Sequence, residues 1–163
     1  MPVQVGDTIP EITVKRLGEA GIEDLNIADY IADKKVVIFG TPGAFTPACA
    51  QKHLPGYVMK ADQIREEGID EIICVSVNDP FVMKHWGEVA NATGKVTMMP
   101  DWDAKFVEAL GLTFDASGAG LGKRSQRFMM IVDNGVIRDL QVEEKGGDVM
   151  VSSAEACALK LAN

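Results

Sequence analysis

The chain has 163 residues, of which 47% are apolar and 25% charged, with a formal charge of −8. That is the size and balance of one folded domain, 1–163, with a core of its own. Nucleic acid is bound through clustered Lys and Arg and an anionic membrane surface would repel so acidic a chain, so neither is expected as a partner. Pro2, Asp7, Pro10 and Glu11 break up the N-terminal segment, so no export signal is expected there. The apolar runs fall well short of the roughly 20 residues that a membrane span needs. Three cysteines, odd in number and without the paired spacing of a zinc site, do not make a disulfide framework. A reducing cytoplasm is expected, with no metal.

In chain order, strand-like and helix-like segments alternate, without internal repeats or low-complexity linkers, which indicates an α/β fold. The runs Val36–Phe39 and Ile72–Val77 are continuous and β-branched, as in central strands covered on both faces. Between them, Pro47 to Gly68 has helical composition interrupted by Pro55-Gly56, which predicts a kink or split there. Asp79-Pro80 supplies a cap and a first-turn proline for a helix through Trp86 and Val89, ended by Asn91 and Gly94. A short strand near Val96 to Met99 and a helix near Ala104 to Leu110, stopped by Gly111, follow. Phe128–Val132 and Val136–Val142 flank Asn134-Gly135, the signature of an antiparallel hairpin. Ser152 and Glu155 have capping-box spacing ahead of a closing helix that bears Cys157 and Leu161. A parallel βαβ unit followed by a hairpin and a helix is the order of a thioredoxin-like fold, a central mixed sheet flanked by helices. The Met pairs 98–99 and 129–130 and the two Trp residues read as core. The run Gly118 to Lys123 lacks the first glycine and the Ser/Thr of a phosphate loop, and reads as a flexible loop.

The junction Phe39 to Cys49 is the informative stretch. Thr46 suits a helix N-cap and Pro47 the first helical position, which makes Cys49 third in the helix. Unsatisfied backbone N–H groups and the positive end of the helix dipole meet there, an environment that favours thiolate over thiol. Ionisation alone does not make a catalyst. An ordinary cysteine, of pKa near 8.5, is about 3% thiolate at neutral pH, so full ionisation raises its rate at most about 30-fold, or about 2 kcal/mol. Enzymes supply about 8 kcal/mol or more. In attack on a peroxide the leaving oxygen gains negative charge, so donors aimed at that oxygen are required as well. The Thr46 hydroxyl and the Cys49 N–H are local candidates.

The pattern Pro42-Gly43-Ala44-Phe45-Thr46-Pro47-x-Cys49-x-x-x-His53-x-Pro55-Gly56 resembles the active-site motif of type II peroxiredoxins. The likeness extends through Val75–Met83, Leu110-Gly111-Leu112 and Lys123–Phe128. The resemblance implies a thioredoxin fold and a thiol-dependent reduction of hydrogen peroxide and organic hydroperoxides. It makes Cys49 the peroxidatic cysteine, Thr46 a hydrogen-bond donor to peroxide and sulfur, Pro42 a shield above the sulfur and Arg127 the catalytic arginine. Gly43, Phe45 and His53 are expected at the substrate pocket. A neighbouring guanidinium, with its fixed donors, suits that chemistry. Arg124 is the competing arginine, and its position favours a loop role. The resemblance also suggests a homodimer packed near Phe45 and the loop 118–122.

Attack by Cys49 leaves a sulfenic acid that a second thiol must reduce. Animal members carry a resolving cysteine near the start of the last helix, where this chain reads Val151-Ser152-Ser153. Cys157 lies further inside that helix and reads as core. Cys74 matches a cysteine of plant-like members for which a resolving role has been proposed, so it is the candidate resolving residue, although its own run reads as buried strand. Pairing with Cys49 requires Cα atoms within about 7 Å. The preferred reductant is therefore external, glutathione with glutaredoxin, with thioredoxin second and no bound cofactor. Two other classes remain open. His53, four residues after Cys49, allows a Cys–His hydrolase, and oxidation of Cys49 without turnover would make a redox sensor.

Overall fold

The two β-branched runs lie side by side at the centre of a five-stranded sheet. The computed structural model describes residues 2–145 and 147–163; Met1, the first residue of the expected 1–163 domain, and Gly146 lie outside the described residues. An N-terminal hairpin, β1 (Thr13–Gly18) and β2 (Gly21–Asn26), precedes the short α1 (Ile27–Tyr30). The main sheet has β3 (Lys35–Thr41) in the middle, parallel to β4 (Glu71–Ser76), which is itself parallel to the edge strand β5 (Thr97–Pro100). On its other side β3 runs antiparallel to β8 (Phe128–Asp133), and β8 pairs antiparallel with β9 (Val136–Val142). The order is β5-β4-β3-β8-β9. The Asn134-Gly135 turn takes φ of 47° and 80°, the left-handed pair a two-residue hairpin demands.

Because side chains alternate across a strand, the sheet divides the core in two. Val37, Phe39, Ile72, Cys74, Met129 and Ile131 face α2 (Leu54–Glu66), α3 (Pro80–Val89) and α5 (Ala154–Ala162). Val36, Ile38, Ile73, Val75, Met130 and Val132 face α1 and α4 (Lys105–Leu110). Cys49 belongs to the first layer. No helix among the described residues is long and apolar enough to cross a membrane.

Three local expectations are modified. The break anticipated at Pro55-Gly56 appears earlier, as a π-helical turn at Cys49–His53 that runs straight into α2. The Leu54 N–H reaches back five residues to the Cys49 carbonyl, the spacing of a π-helical turn, and Pro55 follows with no N–H to donate. The cap of α5 is Ser153, whose hydroxyl accepts from Ala156 N at 3.1 Å; the Ser152 hydroxyl donates to Glu143 instead. The β1–β2 hairpin, and a second small one of β6 (Thr113–Asp115) and β7 (Lys123–Ser125), were not anticipated, because both are short, polar and half exposed. By contrast Asp79 caps α3 as expected, accepting from Phe81 N and Val82 N at 2.9 Å, and Gly111 ends α4 at φ 71°.

β3 and β8 approach closely where Gly40 pairs with Phe128. A Cβ on Gly40 would lie 2.1 Å from the Phe128 ring. Gly40→Ala is expected to destabilise the fold by about 1–3 kcal/mol through overpacking, read as a lower denaturant midpoint with an unchanged slope.

Candidate active site

The site is built on the loop that carries the chain from β3 into the helix. The Thr46 carbonyl accepts from Ala50 N at 2.8 Å, and Pro47 and Ala48 are already helical, so Cys49 is the third residue of the helical segment. The Thr46 hydroxyl does not cap: it donates to the Gly43 carbonyl at 2.7 Å. With its one proton used there, this hydroxyl faces other partners as an acceptor, which modifies the expectation of a donor to peroxide and sulfur. Asn78, just past β4, accepts from Ala44 N at 2.9 Å and from the Ser76 hydroxyl at 2.6 Å, pinning the loop to the sheet. Arg124 donates to the carbonyls of Val77 and Leu121, each at 2.9 Å, so it ties the glycine-rich loop to the end of β4.

The Cys49 sulfur is fully buried and lies 3.1 Å from Nη2 of Arg127, itself only 2% exposed. Nη1 of Arg127 lies 2.9 Å from Nδ1 of His53. A guanidinium only donates, so His53 Nδ1 is the acceptor and the imidazole proton sits on Nε2. That proton is donated to the Ser152 carbonyl at 2.9 Å, which also receives the Tyr57 hydroxyl at 2.8 Å. Burial, reinforced by the Arg127 charge, lowers the His53 pKa to about 3. The lone pair a Cys–His hydrolase would use is thus committed to Arg127, and the geometry speaks against that chemistry.

A cleft of about 670 Å³ opens above this group, lined by Pro42, Thr46, Ala48, Lys52, Phe114 and Arg127 among others. Gly43, Phe45 and His53, expected at the pocket, do not line it. His53 is buried behind Arg127. Phe45 adopts a left-handed φ of 62° and turns its ring toward His85 and Trp86, with centroids 6.0 and 6.2 Å away. Gly43 sits against Arg124 and Thr46: a Cβ there would lie 3.1 Å from Arg124 Nη1 and from Thr46 Cγ2. Gly118, Ala119 and Leu121, expected as a flexible loop near a dimer contact and not at the pocket, form one wall of the cleft.

The other two cysteines are free and buried. Cys74 pairs with Phe39 across the sheet and shares the core layer of Cys49; burial, and then the neighbouring Cys49, push its thiol well above the ordinary range. Burial raises Cys157 to about 12. Neither is a ready thiolate. Among the described residues no group of three or more His, Cys, Asp and Glu could hold a metal ion. Asn78, Tyr57, Ser152 and Glu143 were missed as site residues. Asn78 lies within the stretch that carries the family resemblance and Ser152 was marked only by its capping-box spacing, while Tyr57 and Glu143 carry no local signal.

A neutral His53 has a measurable consequence. With a folded pKa of about 3 against about 6.5 unfolded, its contribution to stability is complete above about 6.5 and is lost as pH falls toward 3, because the unfolded chain takes up the proton first. In ¹⁵N NMR one imidazole should hold its Nε2-protonated form down to about pH 4, and His53→Gln should flatten the fall in stability between pH 6.5 and 4. An imidazole set that titrates entirely near 6.5 contradicts the buried arrangement.

The chain matches the Redoxin family over residues 4–157. It is 43% identical to Peroxiredoxin-2D of Arabidopsis thaliana over 155 residues, covering 94% of this chain and 95% of the relative. It is 40% identical to the chloroplastic Peroxiredoxin-2E of the same plant, over 94% of this chain and 67% of the relative. Among solved structures, reduced Prx3 of Vibrio vulnificus in complex with hydrogen peroxide superposes with a TM-score of 0.93 at 46% identity, covering 98% of this chain and 99% of that one. Peroxiredoxin 5 of Alvinella pompejana gives 0.86 at 33% identity, with 99% of both chains covered. With the thioredoxin-like sheet, the motif around Cys49 and these likenesses together, the chain belongs to the Redoxin family and, within it, to the type II peroxiredoxins, thiol-dependent peroxidases.

Proposed function

We propose that Cys49 reduces hydrogen peroxide and organic hydroperoxides directly and is then regenerated by an external thiol. The observation that carries this reading is the Arg127 guanidinium, 3.1 Å from the buried sulfur and at the same time a wall of the cleft. A peroxide entering the cleft meets N–H donors beside the nucleophile. The Cys49 thiolate attacks one peroxide oxygen, the O–O bond breaks, and the departing oxygen takes the electron pair and then a proton, leaving Cys49 as a sulfenic acid and releasing water or an alcohol. Arg127 stabilises the charge on the departing oxygen. Thr46 accepts from the peroxide O–H, and Pro42, with Ala48, excludes bulk water from the sulfur.

A glutathione thiol then displaces water from the sulfenic acid to give a mixed disulfide, and a glutaredoxin thiolate attacks that disulfide to return Cys49 to its reduced form. Thioredoxin is the second reductant to test. Burial of Cys74 and its raised pKa argue against an essential resolving role, since its pairing with Cys49 needs local opening. The cycle needs no bound cofactor or metal. The exposed Phe45 ring and the loop 118–122 beside the cleft are the surface on which a homodimer would pack, and a reducing cytoplasm suits the free thiols. A redox-sensor role without turnover is the alternative that multiple turnovers would eliminate.

Purified protein supplied with hydrogen peroxide, then with tert-butyl hydroperoxide, decides between these readings. Many turnovers are expected with glutathione and glutaredoxin, none in Cys49→Ser, and a loss on the order of a hundredfold or more in Arg127→Met, the scale of removing one transition-state donor. Cys74→Ser should keep full activity with glutaredoxin. A Cys74→Ser variant inactive with every external thiol would overturn external resolution.

A further inference from the structure

Glu143 lies just beyond the end of β9, in the strand register opposite Arg127, and its backbone N–H donates to the Arg127 carbonyl at 2.9 Å. Its side chain points the other way along the same network. Oε2 accepts from Met150 N at 2.7 Å, from Ser152 N at 2.8 Å and from the Ser152 hydroxyl at 2.6 Å. Three donors on one oxygen fold the segment 150–152 back on the strand end, in a position where the Ser152 carbonyl receives both His53 Nε2 and the Tyr57 hydroxyl. His53 in turn accepts from Arg127.

We propose that Glu143 is a positioning residue for the peroxide reaction: its carboxylate holds the Ser152 carbonyl in place, which fixes the orientation of His53 and, through it, the direction in which Arg127 presents its donors to the Cys49 sulfur. One residue therefore constrains Arg127 from both ends, main chain and side chain. The segment has no helix or ladder of its own before Ser153 caps α5, so without the carboxylate two backbone N–H groups and one hydroxyl lose their acceptor, and the carbonyl they steady loses its fixed direction. A hydrogen bond from His53 to a wandering carbonyl no longer selects one imidazole orientation. Burial by itself would push the Glu143 carboxyl up, yet the bonds from Ser152 and Met150 outweigh it and hold the carboxyl below its ordinary value, so the acceptor is ionised at neutral pH. At Ser152 the carbonyl does the positioning; the side chain adds only one of three bonds to Glu143.

The inference rests on the reading of Cys49 as the reacting atom, and a Cys49→Ser control tests that reading separately: its failure to lose peroxide consumption would sink both, whereas the variants below bear on Glu143 alone. Reduced full-length protein is mixed with tert-butyl hydroperoxide in single-turnover stopped flow, and in parallel alkylated with iodoacetamide, which needs the thiolate but no oxygen-directed donor. Glu143→Gln is expected to slow oxidation about tenfold or more, with little change in alkylation, and to broaden or split the His53 ¹⁵N signals. Glu143→Asp, one methylene shorter but still charged, should fall between, and keeps the test available if Glu143→Gln does not fold. A folded Glu143→Gln or Glu143→Asp protein that oxidises at the parental rate overturns the proposal. So does an equal slowing of oxidation and alkylation with His53 signals unchanged, the mark of a purely structural role.

Discussion

A guanidinium buried to 2% exposure is the constraint around which this fold is arranged. Desolvating a cation costs several kcal/mol unless its donors are met. Here one arm of Arg127 meets the Cys49 sulfur and another the Nδ1 lone pair of His53. That second partner must be neutral, which burial and the Arg127 charge together ensure. The neutral ring must then place its single proton somewhere, and the Ser152 carbonyl receives it. Each requirement generates the next, so the chemistry at the sulfur depends on residues more than seventy and ninety positions apart in sequence.

The sheet makes this convergence possible. β3 delivers the loop bearing Thr46 and the helical turn of Cys49, while β8, its antiparallel neighbour, starts one residue after Arg127. Arg127 and Cys49 therefore meet at the same end of adjacent strands. The π-helical turn adds a second adjustment. It widens the helix between Cys49 and Leu54, the stretch from which Cys49 and His53 both reach the Arg127 guanidinium.

Much of this was legible in the sequence, for reasons that differ by residue. The β-branched runs at 36–39 and 72–77 exposed the central strands because strands buried on both faces admit little else, and Asn134-Gly135 exposed the hairpin because its left-handed pair of φ values admits few other residues. Thr46-Pro47 located the start of the helix and hence the position of Cys49 within it. What remained hidden was side-chain direction. The motif predicted a pocket bounded by Gly43, Phe45 and His53, yet these turn behind or beside it, since the loop is pinned by Asn78 and Phe45 takes a left-handed φ. The capping-box spacing at Ser152 was a true signal attached to the wrong serine, because Glu143 had already claimed the Ser152 hydroxyl. A lone acid following a strand carries no local mark of such a role; only the register of β8 against β9 brings it opposite Arg127.

The account stands on Cys49 as the atom that peroxide oxidises. Treating the fully reduced protein with one equivalent of hydrogen peroxide in the presence of a sulfenic-acid trap, followed by peptide mass spectrometry, addresses that claim directly. The trapped adduct is expected on the Cys49 peptide alone, with Cys74 and Cys157 remaining as free thiols; oxidation confined to Cys74 or Cys157, with Cys49 unmodified, would contradict it.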